Sequence, residues 1–426
     1  MTAHQKDLQA NVTPELLVQR ARDMVPYLKE AAFRHEEERV IAKETVAMMQ
    51  EAGFFRVLQP KRWGGYEMDP QVFFEIQQAL AEGCMSTAWI YGVIAVHNWQ
   101  IALFDLKAQE DVWKDDTSVL IASSYMPVGK VEPVEGGFKF SGRWAFSSGI
   151  DHCEWVFLGG VVPPTKDNPN PDYRTFLVPR SDFKVLDTWH TFGLKGTGSN
   201  DVVVEGCFVP EYRTHSSLDG FRGTNPGIDS KTIPLYKIPF GQLFPRAVSG
   251  STIGATQGAI NAYREVASKR IGTNTGSKTA EDPHAQMAVA RAQALVDSLK
   301  LRLKTIFDEL MADARAGQAT DMTKRIQFRF ESANVPEQCL AEVLEMQKMV
   351  GGRGIFTNSP LQRFALDILA GRAHVANNRT SSAVTSAACS WDWKARTSSC
   401  EPVPSTRGSG YRRQSWRRQG NCPGLR

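Results

Sequence analysis

The chain has 426 residues, 42% hydrophobic, 10% aromatic and 23% charged, with seven cysteines and a formal charge of +4. That length predicts two or three packing units, and the composition excludes a disordered, collagenous or coiled-coil chain. The small positive excess would permit a nucleic-acid or membrane partner, but only if it were spread over the folded surface.

Taken from the start, residues 1–7 carry no apolar signal core. Thr13-Pro14-Glu15 opens a helix: threonine caps, proline suits the first turn, and glutamate favours the positive end. Leu16, Leu17, Ala21, Met24, Val25 and Leu28 follow at helical spacing. A second helix is expected over residues 40–51, stopped by Gly53, and a turn over 60–66. Further helices are expected over 70–82 and 86–103. The most apolar run, 88–96, ends at His97-Asn98, far short of the ~20 residues of a bilayer span.

The pattern changes near Ser118. Short runs rich in Val, Phe, Thr, Trp and Gly predict strands over 119–122, 138–144, 155–162, 175–178 and 201–209, with a turn at Glu135-Gly136-Gly137. From 240 the helical period returns: 283–316 is long and amphipathic, 322–350 carries Pro336 as an expected kink, and 360–376 is the last helix. The order α, β, α without repeats predicts an α+β architecture. It divides into a helical N-terminal domain (1–117), a β-barrel-like middle domain (118–210), a C-terminal four-helix bundle (211–378) and an atypical tail (379–426).

The tail explains the charge. From Arg379 to Arg426, eight arginines and one lysine face only Asp392 and Glu401, so residues 1–378 carry a net −3. The tail holds three of the cysteines and no Ile, Phe or Met. It reads as a shifted reading frame that cannot bury a core and is expected to be disordered. A nucleic-acid or membrane partner loses its support. The remaining Cys84, Cys153, Cys207 and Cys339 are scattered, with no metal or disulfide spacing, as in a reduced cytoplasmic protein.

Nucleotide signatures are weak. Gly196-Thr197-Gly198 lacks a third glycine and lies between strands, and Gly351-Gly352-Arg353-Gly354 ends a helix where a dinucleotide site would begin one. No phosphate loop and no Gly-x-Ser-x-Gly elbow is present. What remains is a set of polar residues in unusual places. Trp144-Ala145-Phe146-Ser147-Ser148-Gly149 ends a strand with two hydroxyls beside a glycine. His97 sits on an apolar helix, where a satisfied core histidine is the ordinary reading. Ser123 follows an apolar strand, Arg270 would ordinarily be a solvated helix charge, and His374 a cation at a helix end.

Order and motifs together resemble the acyl-CoA dehydrogenase fold over residues 13 to about 377. The likeness lies in the run from Gly193-Leu194-Lys195-Gly196-Thr197-Gly198-Ser199-Asn200 to Phe208-Val209-Pro210, in Gly351-Gly352-Arg353-Gly354-Ile355-Phe356, and in Leu361-Gln362-Arg363-Phe364. True dehydrogenases carry a catalytic glutamate after the last of these. Here the stretch reads Arg372-Ala373-His374-Val375-Ala376-Asn377-Asn378, which speaks against acyl-CoA oxidation. Trp89, Val96-His97-Asn98-Trp99-Gln100, the run from Trp144 through Asp151-His152-Cys153 to Phe157, and His374 are similar to the oxygenase components of two-component flavin-dependent aromatic hydroxylases. Within these they most resemble those acting on phenolic seco-steroids in bacterial steroid degradation.

The resemblance implies an enzyme that takes reduced flavin (FMNH2 or FADH2) from a separate flavin reductase, forms a flavin C4a-hydroperoxide with O2 and turns a phenol into a catechol. It implies catalytic roles for His97, Ser148 and His374. It places Trp89, Ser123, Phe146, Ser147, Ser148, Arg270, Gly352, Arg353, His374 and Val375 around the flavin, and His97 and Ser123 on the substrate phenol. It also implies a homotetramer. The alternatives are an S- or N-oxygenating enzyme of the same fold, or an acyl-CoA dehydrogenase.

Overall fold

The computed structural model describes residues 12–164, 169–271 and 276–380, so the expected frame-shifted tail lies almost wholly outside the described residues. Helices α1 (Pro14–Asp23) and α2 (Val25–Glu38) stand where one continuous period was read. Pro26 sits in the first turn of α2, where its missing N–H costs nothing, so the chain restarts there. The Thr13 hydroxyl accepts from Leu16 N at 3.2 Å, the expected cap. Helix α3 (Lys43–Glu51) begins later than the periodicity predicts, and Gly53 follows it at φ 84°.

Helices α4 (Pro70–Gly83) and α5 (Met85–Gln100) form the centre of the N-terminal unit. Every residue of α5 is buried, because helices pack on one side of it and the sheet on the other. A short helix α6 (Leu106–Trp113) leads into the β region.

Among the described residues seven strands form: β1 (Ile121–Val134), β2 (Gly137–Ser147), β3 (Trp155–Val162), β4 (Asp172–Pro179), β5 (Lys184–Leu186), β6 (Asn200–Pro210) and β7 (Thr214–Ser216). Their order is β5-β6-β2-β1-β3-β4-β7. Only β1 and β3 run parallel; the other pairs are antiparallel. The long β1 pairs with both halves of the sheet, and its register against β3 shifts between Ser124 and Gly129, where it changes direction. Short β5 and β7 escape the sequence reading because three residues carry no measurable alternation.

Trp144 on β2 fills the space inside this bend. It is fully buried, lies 5.0 Å from the Phe140 ring, and donates its indole N–H between Gly159 O (2.9 Å) and Met126 O (3.1 Å). Gly129 makes the room: a Cβ there would stand 2.5 Å from Phe140 and 2.8 Å from Trp144.

The C-terminal unit is a four-helix bundle: α7 (Phe240–Lys269), α8 (Pro283–Arg315), α9 (Met322–Val350) and α10 (Pro360–Arg372). Helix α9 runs through Pro336 without a break in its span. Helix α7 packs against α4 so closely that a Cβ on Gly254 would lie 2.1 Å from Gln78 O. Helix α5 packs against β1, α7 and α10, bringing all three units of the chain together.

Candidate active site

Helix α5 carries Trp89 and His97 eight residues apart, about 12 Å along its axis at 1.5 Å per residue. Each marks one end of an aromatic cluster that Phe244 bridges, with His97 at 6.3 Å and His374 at 6.5 Å from its ring. At the first end, β2 delivers Phe146, Ser147 and Ser148. Phe146 has φ 67° and a 60% exposed side chain, a conformation that directs an aromatic residue outward at a strand end. Ser147 is buried, and its hydroxyl has no hydrogen-bond partner among the described residues. Gly149, at φ 70°, lets the chain approach α5: a Cβ would meet Ile94 Cδ1 at 2.7 Å.

Ser148 is held from two directions. Trp89 Nε1 donates to its oxygen at 3.2 Å, and the Ser199 hydroxyl lies 2.7 Å away. Ser199 continues to Thr197 (2.6 Å), which donates to Leu194 O at 2.8 Å. His374 follows α10, its ring 5.8 Å from Trp89. Val375 beside it is 80% exposed.

At the other end His97 is fully buried. Its Nδ1 lies 2.6 Å from Ile121 O. A carbonyl only accepts, so Nδ1 carries the proton and Nε2 presents a lone pair. That Nε2 is buried with no partner among the described residues. The rings of Phe157 (5.5 Å), Tyr125 (6.2 Å) and Phe244 (6.3 Å, nearly parallel) surround it. Phe244 also reaches His374, at 6.5 Å, so the two ends share one wall.

His374 takes the opposite tautomer. Its Nδ1 accepts from Ala376 N at 3.0 Å, so its proton is on Nε2. Burial pulls both rings down to a pKa of about 4, and for His374 the Arg329 charge adds to the effect. The ordinary sequence reading made His374 a cation at a helix end. Both histidines are instead neutral at pH 7, one an acceptor and one a donor, because the pocket walls exclude water.

Ser123 lies on β1 at a half-buried position, two residues from Tyr125 on the same strand face. Its hydroxyl interacts with that of Tyr125, whose pKa burial raises well above 10. Tyr125 donates to Gln100 Oε1. Ser124, on the opposite face, holds Ala145 O at 2.7 Å and is structural.

Arg270, Gly352 and Arg353 stand together elsewhere. Arg270 ends α7 and donates to Met349 O at 2.6 Å, and a Cβ on Gly351 would lie 3.1 Å from its Nη2. Their contacts are with the α9 end, and the Ser148 group is held by other side chains. The sequence-predicted site thus falls into two clusters.

Asp367 on α10 anchors the loop before β6. Its carboxylate accepts from Leu194 N at 2.6 Å, and Leu194 has φ 52°. Burial, then the Glu36 charge, raise its pKa to about 7 from an ordinary 3.8. The folded chain therefore binds this proton more tightly than the unfolded chain, and stability falls as pH rises from about 4 to 7. At 1.36 kcal/mol per unit the cost approaches about 4 kcal/mol at pH 8. Asp367→Asn keeps an oxygen for Leu194 and removes the charge. Urea unfolding should show the variant ahead of wild type by about 1.5 kcal/mol at pH 5 and by about 4 kcal/mol at pH 8; an equal difference at both pH values would contradict the assignment.

The residues fit a planar flavin edge. Ser148 keeps an oxygen lone pair, Ser147 an unmatched hydroxyl, and Phe146 an exposed ring beside the Trp89–His374 pair. Tyr125, Phe244, Thr197 and Ser199 escaped the sequence reading. Tyr125 was within reach, since it shares a strand face with Ser123. Phe244 was not, because only the tertiary fold brings α7 to α5.

Residues 13–114 match the family model of the acyl-CoA dehydrogenase N-terminal domain, and residues 247–379 that of the acyl-CoA dehydrogenase C-terminal domain. Over 362 residues the chain is 39% identical to the flavin-dependent monooxygenase, oxygenase subunit HsaA, of Rhodococcus jostii (strain RHA1), spanning 85% of this chain and 94% of that protein. The chain belongs to the flavin-dependent monooxygenase oxygenase subunits with the acyl-CoA dehydrogenase fold. Another member of that family, the FADH(2)-dependent resorcinol hydroxylase, oxygenase component, of Rhizobium sp. (strain MTP-10005), is 30% identical over 85% of this chain and 90% of its own. The crystal structure of 3-HSA hydroxylase from Rhodococcus sp. RHA1 superposes with a TM-score of 0.84 at 37% identity, covering 88% of this chain and 96% of that one. Membership of the oxygenase subunits agrees with the missing dehydrogenase glutamate and with two histidines standing in the pocket.

Proposed function

We propose that this chain is the oxygenase component of a two-component phenol hydroxylase. The observation that carries the reading is the His97 Nε2 lone pair, buried and unmatched inside a cage of aromatic rings. Such an acceptor suits the hydroxyl of a phenol whose ring packs between Phe157, Tyr125 and Phe244.

Reduced flavin from a separate reductase supplies two electrons to O2, so that one oxygen atom enters the ring ortho to the phenol hydroxyl and the other leaves as water. His97 accepts the phenol hydrogen bond and makes the ring richer in electrons. Ser123, beside Tyr125, orients the phenol oxygen. Ser148 and Trp89 hold the inner flavin edge, and His374 presents its Nε2–H there. The buried walls exclude water from the reacting atoms. Alkyl bulk on the substrate, as in a phenolic seco-steroid, would extend toward the mouth of the pocket. A sulfide carries no proton for the His97 acceptor, which favours a phenol over S-oxygenation.

Arg270, Gly352 and Arg353 are read as contacts to the flavin of a neighbouring copy in a tetramer. The exposed Met287, Leu344, Ile355 and Phe356 on the bundle support that packing. The division into an N-terminal helical unit, a middle sheet and a C-terminal bundle is retained. A cytoplasmic location is supported by the free Cys84, Cys153, Cys207 and Cys339 among the described residues. Among the described residues no helix is long and apolar enough to cross a membrane.

The test supplies reduced FMN or FAD and O2 with a panel of phenols, from phenol to bulky alkylphenols. A catechol from the bulky members is expected. Ser148→Ala should lower the catechol formed per flavin oxidised several-fold, since losing one such hydrogen bond costs about 1 kcal/mol. No catechol from any phenol would sink the reading.

A further inference from the structure

The hydroxyl series beside Ser148 takes its direction from Leu194 O, which also accepts from Trp189 Nε1 at 2.9 Å and Thr197 N at 3.1 Å. Leu194 O cannot donate, so the single hydroxyl proton of Thr197 points to it across 2.8 Å. Thr197 must then accept from Ser199 across 2.6 Å. Ser199, its proton so used, must accept from Ser148 across 2.7 Å. Trp89 Nε1 has only a proton to give, and gives it to Ser148 at 3.2 Å. Thr197 and Ser199 are 1% and 3% exposed, so no bulk water can reverse the order. Reversing any link would set two lone pairs, or two protons, against each other in a dry interior.

The consequence falls on Ser148. Its only proton is committed inward, and its oxygen has one lone pair left after Trp89. Toward the pocket it can accept a hydrogen bond and cannot give one. Flavin N5 carries a hydrogen when the flavin is reduced, and a bare lone pair when it is oxidised. We propose that Thr197 and Ser199 are positioning residues that fix Ser148 as an acceptor, so that the site selects reduced over oxidised flavin. The inference rests on the flavin reading above and deepens it. It also gives the enzyme a way to release its flavin: once oxidised, the N5 lone pair faces the Ser148 lone pair, with no donor between them.

Two substitutions free the Ser148 proton. Ser199→Ala removes its acceptor. Thr197→Val lets Ser199 turn its proton elsewhere and accept nothing fixed. In both, Ser148 can donate to oxidised N5. The measurement is a titration of the full chain with FMN and with FAD, oxidised in air and dithionite-reduced under nitrogen, read by flavin fluorescence and absorbance. Each variant should bind oxidised flavin about 5- to 10-fold more tightly, one hydrogen bond's worth, with the reduced-flavin Kd nearly unchanged. Thr197→Ser, which keeps the hydroxyl, should restore the wild-type ratio. A loss of packing would weaken both flavin forms together, so equal shifts in both, or no shift in either, overturn the proposal while leaving the flavin site standing. Wild-type chain that fails to bind reduced flavin at all would overturn the flavin reading and this one with it.

Discussion

His97→Ala is expected to lower kcat/KM for phenol hydroxylation by about 10²- to 10⁴-fold, the range for a well-placed acid–base side chain. The expectation follows from one short contact. Ile121 O fixes the proton on Nδ1, and the opposite nitrogen is then left as a buried acceptor without a partner among the described residues, beside the aromatic cage. Reduced-flavin affinity should stay within about twofold, because His97 stands two helical turns from Trp89 and Ser148. A matching pH profile is expected. With its pKa held at about 4 by burial, His97 is neutral down to mild acid, so kcat/KM should show no His97 step near pH 6.5. Steady-state assays of both proteins from pH 5 to 8 check both points. A variant within a few-fold of wild type would show that His97 is merely a core residue.

The largest structural effect is expected at Trp144. Trp144→Ala removes a fully buried ring, its contact with Phe140 and the indole donor shared by Gly159 O and Met126 O. Large-to-alanine changes of this kind cost about 3–5 kcal/mol. The two carbonyls lose a partner, and the glycine-lined space around the ring cannot close, because the strands are held by their register. Trp144 is four residues before Ser148 on the same strand end, so the loss reaches the site as well. Denaturant unfolding should show a large drop in midpoint, and flavin binding should weaken with it. Trp144→Phe, which keeps most of the ring, should recover a good part of the stability and little of the hydrogen bonding.

Much of this was legible in the residues. The α, β, α order follows from the change in period near Ser118 and its return near Phe240, and the strand at 155–162 falls where the short apolar run puts it. The serine pair after Trp144 and the histidine on an apolar helix stand out because each breaks a local rule: polar groups where apolar ones belong. The split of the first helix at Pro26 was readable from proline chemistry. Three-residue strands such as Lys184–Leu186 were not, since they depend on pairing with β6. The tautomers of His97 and His374 were also beyond the sequence. They depend on Ile121 O and Ala376 N, backbone atoms that any residue type would offer. Depressed histidine pKa values arise the same way, from the water that the assembled walls exclude. The direction of the Thr197–Ser199–Ser148 series needed the angle and distance of each hydroxyl, although all three residues lie in motifs visible from the start.

The central claim is that this pocket places an oxygen atom from O2 on a phenol using reduced flavin. The most direct measurement supplies 18O2 to the full chain with chemically reduced flavin and a bulky phenol, and weighs the product by mass spectrometry. The account predicts a catechol carrying one 18O atom, formed only when reduced flavin is present. Unlabelled catechol, or oxidised flavin with no catechol from any phenol tried, would contradict it.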